Sequence, residues 1–253
     1  MCRRGDNIVN GRGGFTLVEL LVVIAIIALL MSILMPALGR VRKQAKAAAC
    51  MANLHQWGFF WLMYAQDNDG CFFRYSGWLW MGPLRPYYKN KKLLLCPMAT
   101  RTWDEGGYFG NPFSAWGPWQ SDYGSYGMNG YFYNPQIALL AGHGAPEDHW
   151  RTPYVKSAAN IPLLLDCNWV DGWPEPTDEP PEFDGQFDWG FSSNMRRFCV
   201  NRHNRVVNIL FADFSVRKIG LKQLWQLKWH RGYDVNADPP VWPAWMRNFK
   251  DYD

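Results

Sequence analysis

Several signatures are missing from this sequence. No C-x-x-C pair occurs in its 253 residues, and His143, His149, His203 and His230 do not fall at zinc-ligand spacing. On spacing alone no metal centre is expected, and no motif calls for a cofactor. A calcium loop at Asp67-Asn68-Asp69-Gly70 also fails. Aligned on an EF-hand, it would put Ala65 at the first ligand and Ser76 at the twelfth. Charge of one sign is scarce as well. The formal net charge is +4, most of it near the N-terminus, in Arg3, Arg4, Arg12, Arg40, Arg42, Lys43 and Lys46. The remainder is near neutral, which disfavours nucleic acid as a partner. Arg196, Arg197, Arg202 and Arg205, with Phe198 interleaved, are the best residues for such binding, and a solvated face explains them equally well.

Apolar residues are plentiful. With 48% hydrophobic against 19% charged, the chain is not disordered throughout, and its length allows one large or two small domains. Aromatics reach 17%, as 15 Trp, 15 Phe and 12 Tyr spread without helical or strand spacing. Such rings serve first as core, because each brings a large buried area; stacking of a sugar or base is the rival use.

Leu20 to Gly39 contains no ionisable side chain over 20 residues, enough for a helix to cross a hydrocarbon core of about 30 Å. A cleaved secretory signal is the obvious alternative. Its apolar region is shorter and leads directly to a small-residue cleavage site, whereas Arg40, Arg42 and Lys43 follow here.

The residues before this run are more specific. Gly13-Gly14-Phe15-Thr16-Leu17-Val18-Glu19-Leu20-Leu21-Val22 resembles the junction of type IV pilins and pseudopilins. The resemblance implies that a prepilin peptidase cuts after Gly14 on the cytoplasmic side and that the new terminus, Phe15, is N-methylated. Glycine suits such a site, where the chain lies extended with no side chain in the way. Glu19 costs about 2.5–3.5 kcal/mol within an apolar helix unless it is paired. The resemblance supplies the amino group of a neighbouring subunit's first residue as that partner, setting register in a filament. It also places a proline at the position of Pro36, where a bend is expected. The implied setting is a bacterial inner membrane crossed once, with the leader cytoplasmic and the rest periplasmic or extracellular.

Nothing from Arg40 to Tyr64 stops a helix. Ala47, Met51, Leu54, Gly58, Trp61 or Leu62, and Ala65 recur at three- and four-residue steps, a face for a globular domain. The expected organisation is a leader over 1–14, a membrane half-helix over 15–39, an extracytoplasmic half over 40–66 and a β-rich domain over 67–253. The fold class is α+β, with the long helix packed on a mostly antiparallel sheet with long loops. Strands are expected at Leu93–Cys96, Ser125–Tyr133, Leu163–Cys167, Val206–Ala212 and Ser215–Ile219. Trp173–Asp188 reads as a surface loop, and Leu224–Arg231 as a short amphipathic helix or edge element.

Asn53-Leu54-His55-Gln56, Cys96-Pro97, Ser125-Tyr126-Gly127-Met128-Asn129 and Arg202-His203 with Asn208 to Asp213 are similar to a branch of pseudopilin-like proteins carrying an H-x9-D-G signature. His203 and Asp213 match it; Phe214 replaces the glycine, so the turn is of another type or one residue longer. A His203–Asp213 hydrogen bond would fix this hairpin. Five cysteines follow the leader, and Cys50 with Cys96 is the first pairing expected in an oxidising compartment.

Three function classes follow. A filament or secretion-pseudopilus subunit, partnered by prepilin peptidase and by other pilin subunits, needs only the residues already named. A surface module binding glycan or DNA on the same anchor requires exposed, grouped rings. A tethered hydrolase requires His203 in a pocket with a nucleophile, and no catalytic residue is assigned.

Overall fold

The computed structural model describes residues 16–75, 79–135, 144–187 and 192–250. Gly14 and Phe15 lie outside them, as does the end of the 173–188 loop. The chain divides into two compact units, one ending at Arg42 and the other Lys43–Asp253.

One helix, α1 (Leu17–Asp67, 51 residues), runs through Pro36 without a break. It is rich in Leu and Ala, with Met, Gln, Lys and Arg and little glycine, so propensity favours propagation despite the β-branched Val and Ile of its first half. It stops where Gly70 adopts φ +73° and its N–H reaches back to the Ala65 carbonyl at 2.8 Å. Within the first unit the apolar side chains of α1 are exposed on every face, from Leu17 to Val41. A helix apolar all round is stable only where lipid or other apolar helices cover it. In the second unit α1 buries Ala47, Cys50, Leu54, Trp57, Gly58, Trp61 and Ala65. This is the expected stripe with Cys50 in place of Met51 and with Trp57 added.

Five strands form the sheet against which that stripe packs, in the order β5-β3-β4-β6-β7. They are β3 (Tyr126–Asn129), β4 (Pro162–Asp166), β5 (Asp171–Gly172), β6 (Val206–Phe211) and β7 (Val216–Gly220), antiparallel except for β3 with β5. A separate two-stranded ribbon pairs β1 (Trp116–Trp119) with β2 (Asp122–Gly124). The arrangement is α+β and pilin-like, a long apolar helix on a largely antiparallel sheet. Alternation along β6 divides the core. Leu210 joins α1, while Val207, Ile209 and Phe211 face a second cluster with Leu224, Trp225, Trp229 and Met246. Gly58 permits the close approach of α1, since a Cβ there would stand 3.1 Å from Leu210 Cδ1. The rings are mainly core: Trp57 alone meets Phe60, Trp80 and Tyr88 at centroid distances of 4.8–5.5 Å.

Several expectations need correction. Leu93–Cys96 is not a strand: Lys91–Leu94 is a 3-10 turn capped by the Asn90 side chain. The expected Ser125–Tyr133 strand ends at Asn129, whose side chain caps the 3-10 turn Gly130–Phe132. Strands β1, β2 and β5 are too short to show a period in sequence. The described part of the 173–188 loop carries no regular element, yet Trp173, Asp178 and Pro181 in it are buried. Around Leu224 the chain forms a 3-10 turn, Lys222–Gln226, that covers the second sheet face. Phe214 takes the positive φ (+63°) of the signature glycine, in a three-residue turn closed by Phe214 N–H to the Phe211 carbonyl and Phe211 N–H to the Ser215 carbonyl, both 2.9 Å. Its ring packs against the core beside α1, which offsets the backbone strain.

Two buried carboxyls make stability depend on pH. Burial raises Asp171 to about 6, against the opposing Arg197 charge and a hydrogen bond from Tyr133. Asp178 is likewise raised by burial to about 6, against N–H bonds from Met195, Glu175 and Asn194. Between the ordinary Asp value of 3.8 and about 6, the folded state therefore holds protons that the unfolded chain releases. Stability contributed by these groups falls as pH rises through that window, by roughly 2–3 kcal/mol each. Urea melts of the chain in detergent at pH ~4 and ~6 should show this slope, and Asp171→Asn should flatten it. A slope unchanged in that variant would remove Asp171 as its source.

Candidate functional site

Two constellations carry functional interest, one in each unit. At the start of α1, Thr16 and Glu19 form a capping box. Thr16 N–H and Oγ1 donate to Glu19 Oε2 at 2.8 and 2.7 Å, and Glu19 N–H donates to Thr16 Oγ1 at 3.2 Å. Glu19 thus has a local partner within its own chain. Its carboxylate stands among exposed apolar neighbours, Leu17, Val18, Leu20 and Leu21.

The second constellation is buried in the Lys43–Asp253 unit. Tyr126 on β3 pairs with Asp166 on β4, and Asn208 on β6 donates its N–H to Asp166 Oδ2 at 3.4 Å. These polar residues face Cys50 of α1: Cys50 Sγ lies 3.8 Å from Asp166 Oδ2, and Tyr126 Oη donates to that sulfur at 3.3 Å. Cys96 enters from the 3-10 turn, its N–H held by Ser125 Oγ at 2.5 Å. His203 enters from the loop before β6, with Nε2 3.1 Å from Asp166 Oδ2 and 3.3 Å from Cys96 Sγ. Arg202 threads beneath. Its Nη2 donates to the Cys167 carbonyl at 2.8 Å, its Nε to the Pro112 carbonyl at 2.5 Å, and its Nη1 lies 3.4 Å from Asp166 Oδ1.

The charges follow from this packing. Burial lowers the His203 pKa, but the Asp166 charge and hydrogen bond outweigh it and raise the ring to about 10. Asp166 is pushed up by burial and pulled below the usual carboxylate range by His203 and Arg202. Burial keeps the Cys96 thiol well above its ordinary value. The arrangement holds an ion pair and two thiols out of water.

Sequence reasoning brought Cys50 and Cys96 together but bonded them, whereas both are free thiols, engaged by Asp166 with Tyr126 and by His203 respectively. His203 does not hold the β6–β7 turn. Asp213 is exposed there and accepts from Ser215 N–H and Oγ at 3.0 and 2.6 Å, while His203 lies at the other end of the six-residue β6, about 20 Å away along the strand. Asp166 had no assigned site role in sequence, and Arg202 was offered only for nucleic acid and as the neighbour of the signature His203. The Leu163–Cys167 strand held a clue, a lone acid inside an apolar run.

The four arginines offered for nucleic acid are not one solvated face. Arg197 and Arg202 are buried, Arg196 pairs with Glu179 at 3.2 Å, and Arg205 lies over the Phe249 ring. Among the described rings, Phe59, Tyr108, Tyr154 and Phe183 are more than half exposed. A cavity of about 190 Å3 is lined by Trp103, Phe109, Trp116, Trp119 and Trp169. His203 is enclosed, its side chain about 1% exposed.

Comparisons with known proteins bear on the first constellation. Residues 9–35 match the family model described as the prokaryotic N-terminal methylation motif. The chain is 48% identical over 56 residues to the type IV wide pilus major component PilA4 of Thermus thermophilus. That stretch is 22% of this chain and 43% of the relative, so the match spans under half of the relative's length. No solved structure matches the chain significantly. In its methylation motif and in the stretch shared with that pilus component, the chain is thus similar to type IV pilin-like proteins.

Proposed function

We propose that this chain is a structural subunit of a type IV pilus-like filament or a type II secretion pseudopilus. A prepilin peptidase removes residues 1–14 by cutting after Gly14, and Phe15 becomes the methylated N-terminus. The leader faces the cytoplasm, α1 crosses the inner membrane until assembly extracts it, and the Lys43–Asp253 unit lies outside. The first half of α1 carries this reading, being apolar on every face and opening on the methylation motif with a single carboxylate, Glu19. In a solitary anchor that acid would serve only to cap its own helix, at a cost of about 2.5–3.5 kcal/mol in lipid; in a polymer an amine can also meet it.

Mass spectrometry of the intact protein from its own cell tests the processing. The expected species begins at Phe15 and carries one methyl group. Gly14→Glu should leave the leader attached, because a charged side chain stands where the chain must lie flat in the peptidase. An uncut wild-type chain, or a terminus near Cys50, would end this reading.

A further inference from the structure

We propose that Cys50, Cys96, Asp166 and His203 are the four ligands of a structural site for one zinc-class divalent cation. The ligand atoms, two Sγ, a carboxylate oxygen and a ring nitrogen, all lie within 4.8 Å of one another, and all four residues are buried. Three edges are 3.1 Å for His203 Nε2 to Asp166 Oδ2, 3.3 Å for His203 Nε2 to Cys96 Sγ, and 3.8 Å for Cys50 Sγ to Asp166 Oδ2. A tetrahedron with Zn–S of about 2.3 Å and Zn–N or Zn–O of about 2.0–2.1 Å has edges of roughly 3.3–3.8 Å. These three of the six edges stand close to that spacing and the others lie within 4.8 Å, so closure on an ion asks shifts of about 1 Å or less.

Donor chemistry selects the class of ion. Two sulfurs with one imidazole exclude calcium and magnesium, which take oxygen, and suit a borderline-soft tetrahedral ion. Charge agrees with this choice. Two thiolates and Asp166 bring three negative charges, and a divalent ion with the Arg202 guanidinium, 3.4 Å from Asp166 Oδ1, brings three positive. The loaded site is neutral, which a dry interior requires. Binding releases one proton from each thiol and one from the His203 ring to solvent.

Neighbours orient the ligands as metal sites demand. Tyr126 Oη donates to Cys50 Sγ, Arg202 turns Asp166 through Oδ1, and Ser125 holds the Cys96 backbone. The four ligands come from α1, the segment after a 3-10 turn, the end of β4 and the loop before β6. One ion would clip the helix to the end of β4 and to two loop segments, and also shield two thiols from oxidation. This is useful to a subunit that bears load through α1, although the site does not depend on filament assembly.

The test uses the full-length chain, purified in detergent without chelator, and reads metal content by elemental and native mass spectrometry. About one zinc per chain is expected, as is a thiolate-to-cobalt charge-transfer band with tetrahedral d–d absorption when cobalt(II) replaces it. Cys50→Ser and Cys96→Ser should each lower metal affinity at least about tenfold. Cys71→Ser, at an exposed cysteine, should change nothing. Because the site variants could misfold, the wild-type readings decide. A wild-type chain free of metal that gives no cobalt charge-transfer band overturns the proposal, and so does a Cys50–Cys96 disulfide found by mapping without reductant.

Discussion

Glu19→Leu is expected to enter the membrane and be processed at wild-type levels, and to be absent from filaments. Removing an acid from an apolar helix favours insertion by about 2.5–3.5 kcal/mol, and the proposed cut depends chiefly on Gly14. Assembly, in contrast, would lose a buried charge pair worth about 2–5 kcal/mol per contact, enough to reduce incorporation at least about thirtyfold. The capping box complicates a single substitution, since Glu19 also holds Thr16. Thr16→Ala separates the two roles. It removes the cap, at about 1 kcal/mol of helix-end stability, and keeps the carboxylate, so filaments should persist. If Glu19→Leu assembles normally, or if Thr16→Ala fails as badly, the carboxylate serves only its own helix.

Arg202→Leu should be the most damaging single substitution in the Lys43–Asp253 unit, with a loss of about 3–5 kcal/mol. The guanidinium is fully enclosed beside the equally enclosed Asp166 carboxylate. It also donates to the carbonyls of Pro112, Ser125 and Cys167, which ties three loops to the end of β4. Leucine fills part of the volume and leaves one buried acceptor charge and three carbonyls without these donors. Against a total stability of about 5–15 kcal/mol, the change approaches global unfolding. Arg205→Leu is the control. That side chain is exposed over Phe249, and its loss should cost about 1 kcal/mol or less. Denaturant midpoints of both variants decide the matter, and an Arg202→Leu chain within about 1 kcal/mol of wild type would show that the ion pair is dispensable.

Legibility in the sequence tracked the range of the interaction involved. Long helical runs repeat one physical signal many times, so the end of α1 could be read to within a residue or two of Asp67. Strands β4, β6 and β7 were visible because β-branched and apolar residues cluster there over five or six positions. The Phe214 turn was half legible: a bulky residue at a glycine position announced an altered turn, and the ring's seat against α1 explains why it is tolerated. The 93–96 segment misled, because three leucines in a row, Leu93 to Leu95, score as strand when nothing local reveals that Asn90 caps a tight turn.

The sequence alone determined the N-terminal part of this protein: the methylation motif, the apolar helix and the place of Glu19 within it. Those features depend on neighbours at most four residues away, or on lipid that treats every face of the helix alike. Only the tertiary structure decided the buried site. Cys96 meets His203 across 107 positions of chain and Cys50 meets Asp166 across 116, through a sheet order that no local pattern encodes. Spacing rules for metal ligands assume that one turn or hairpin carries them in pairs. Here each ligand comes from a different element, and packing α1 against the sheet is what brings them within reach of a single ion.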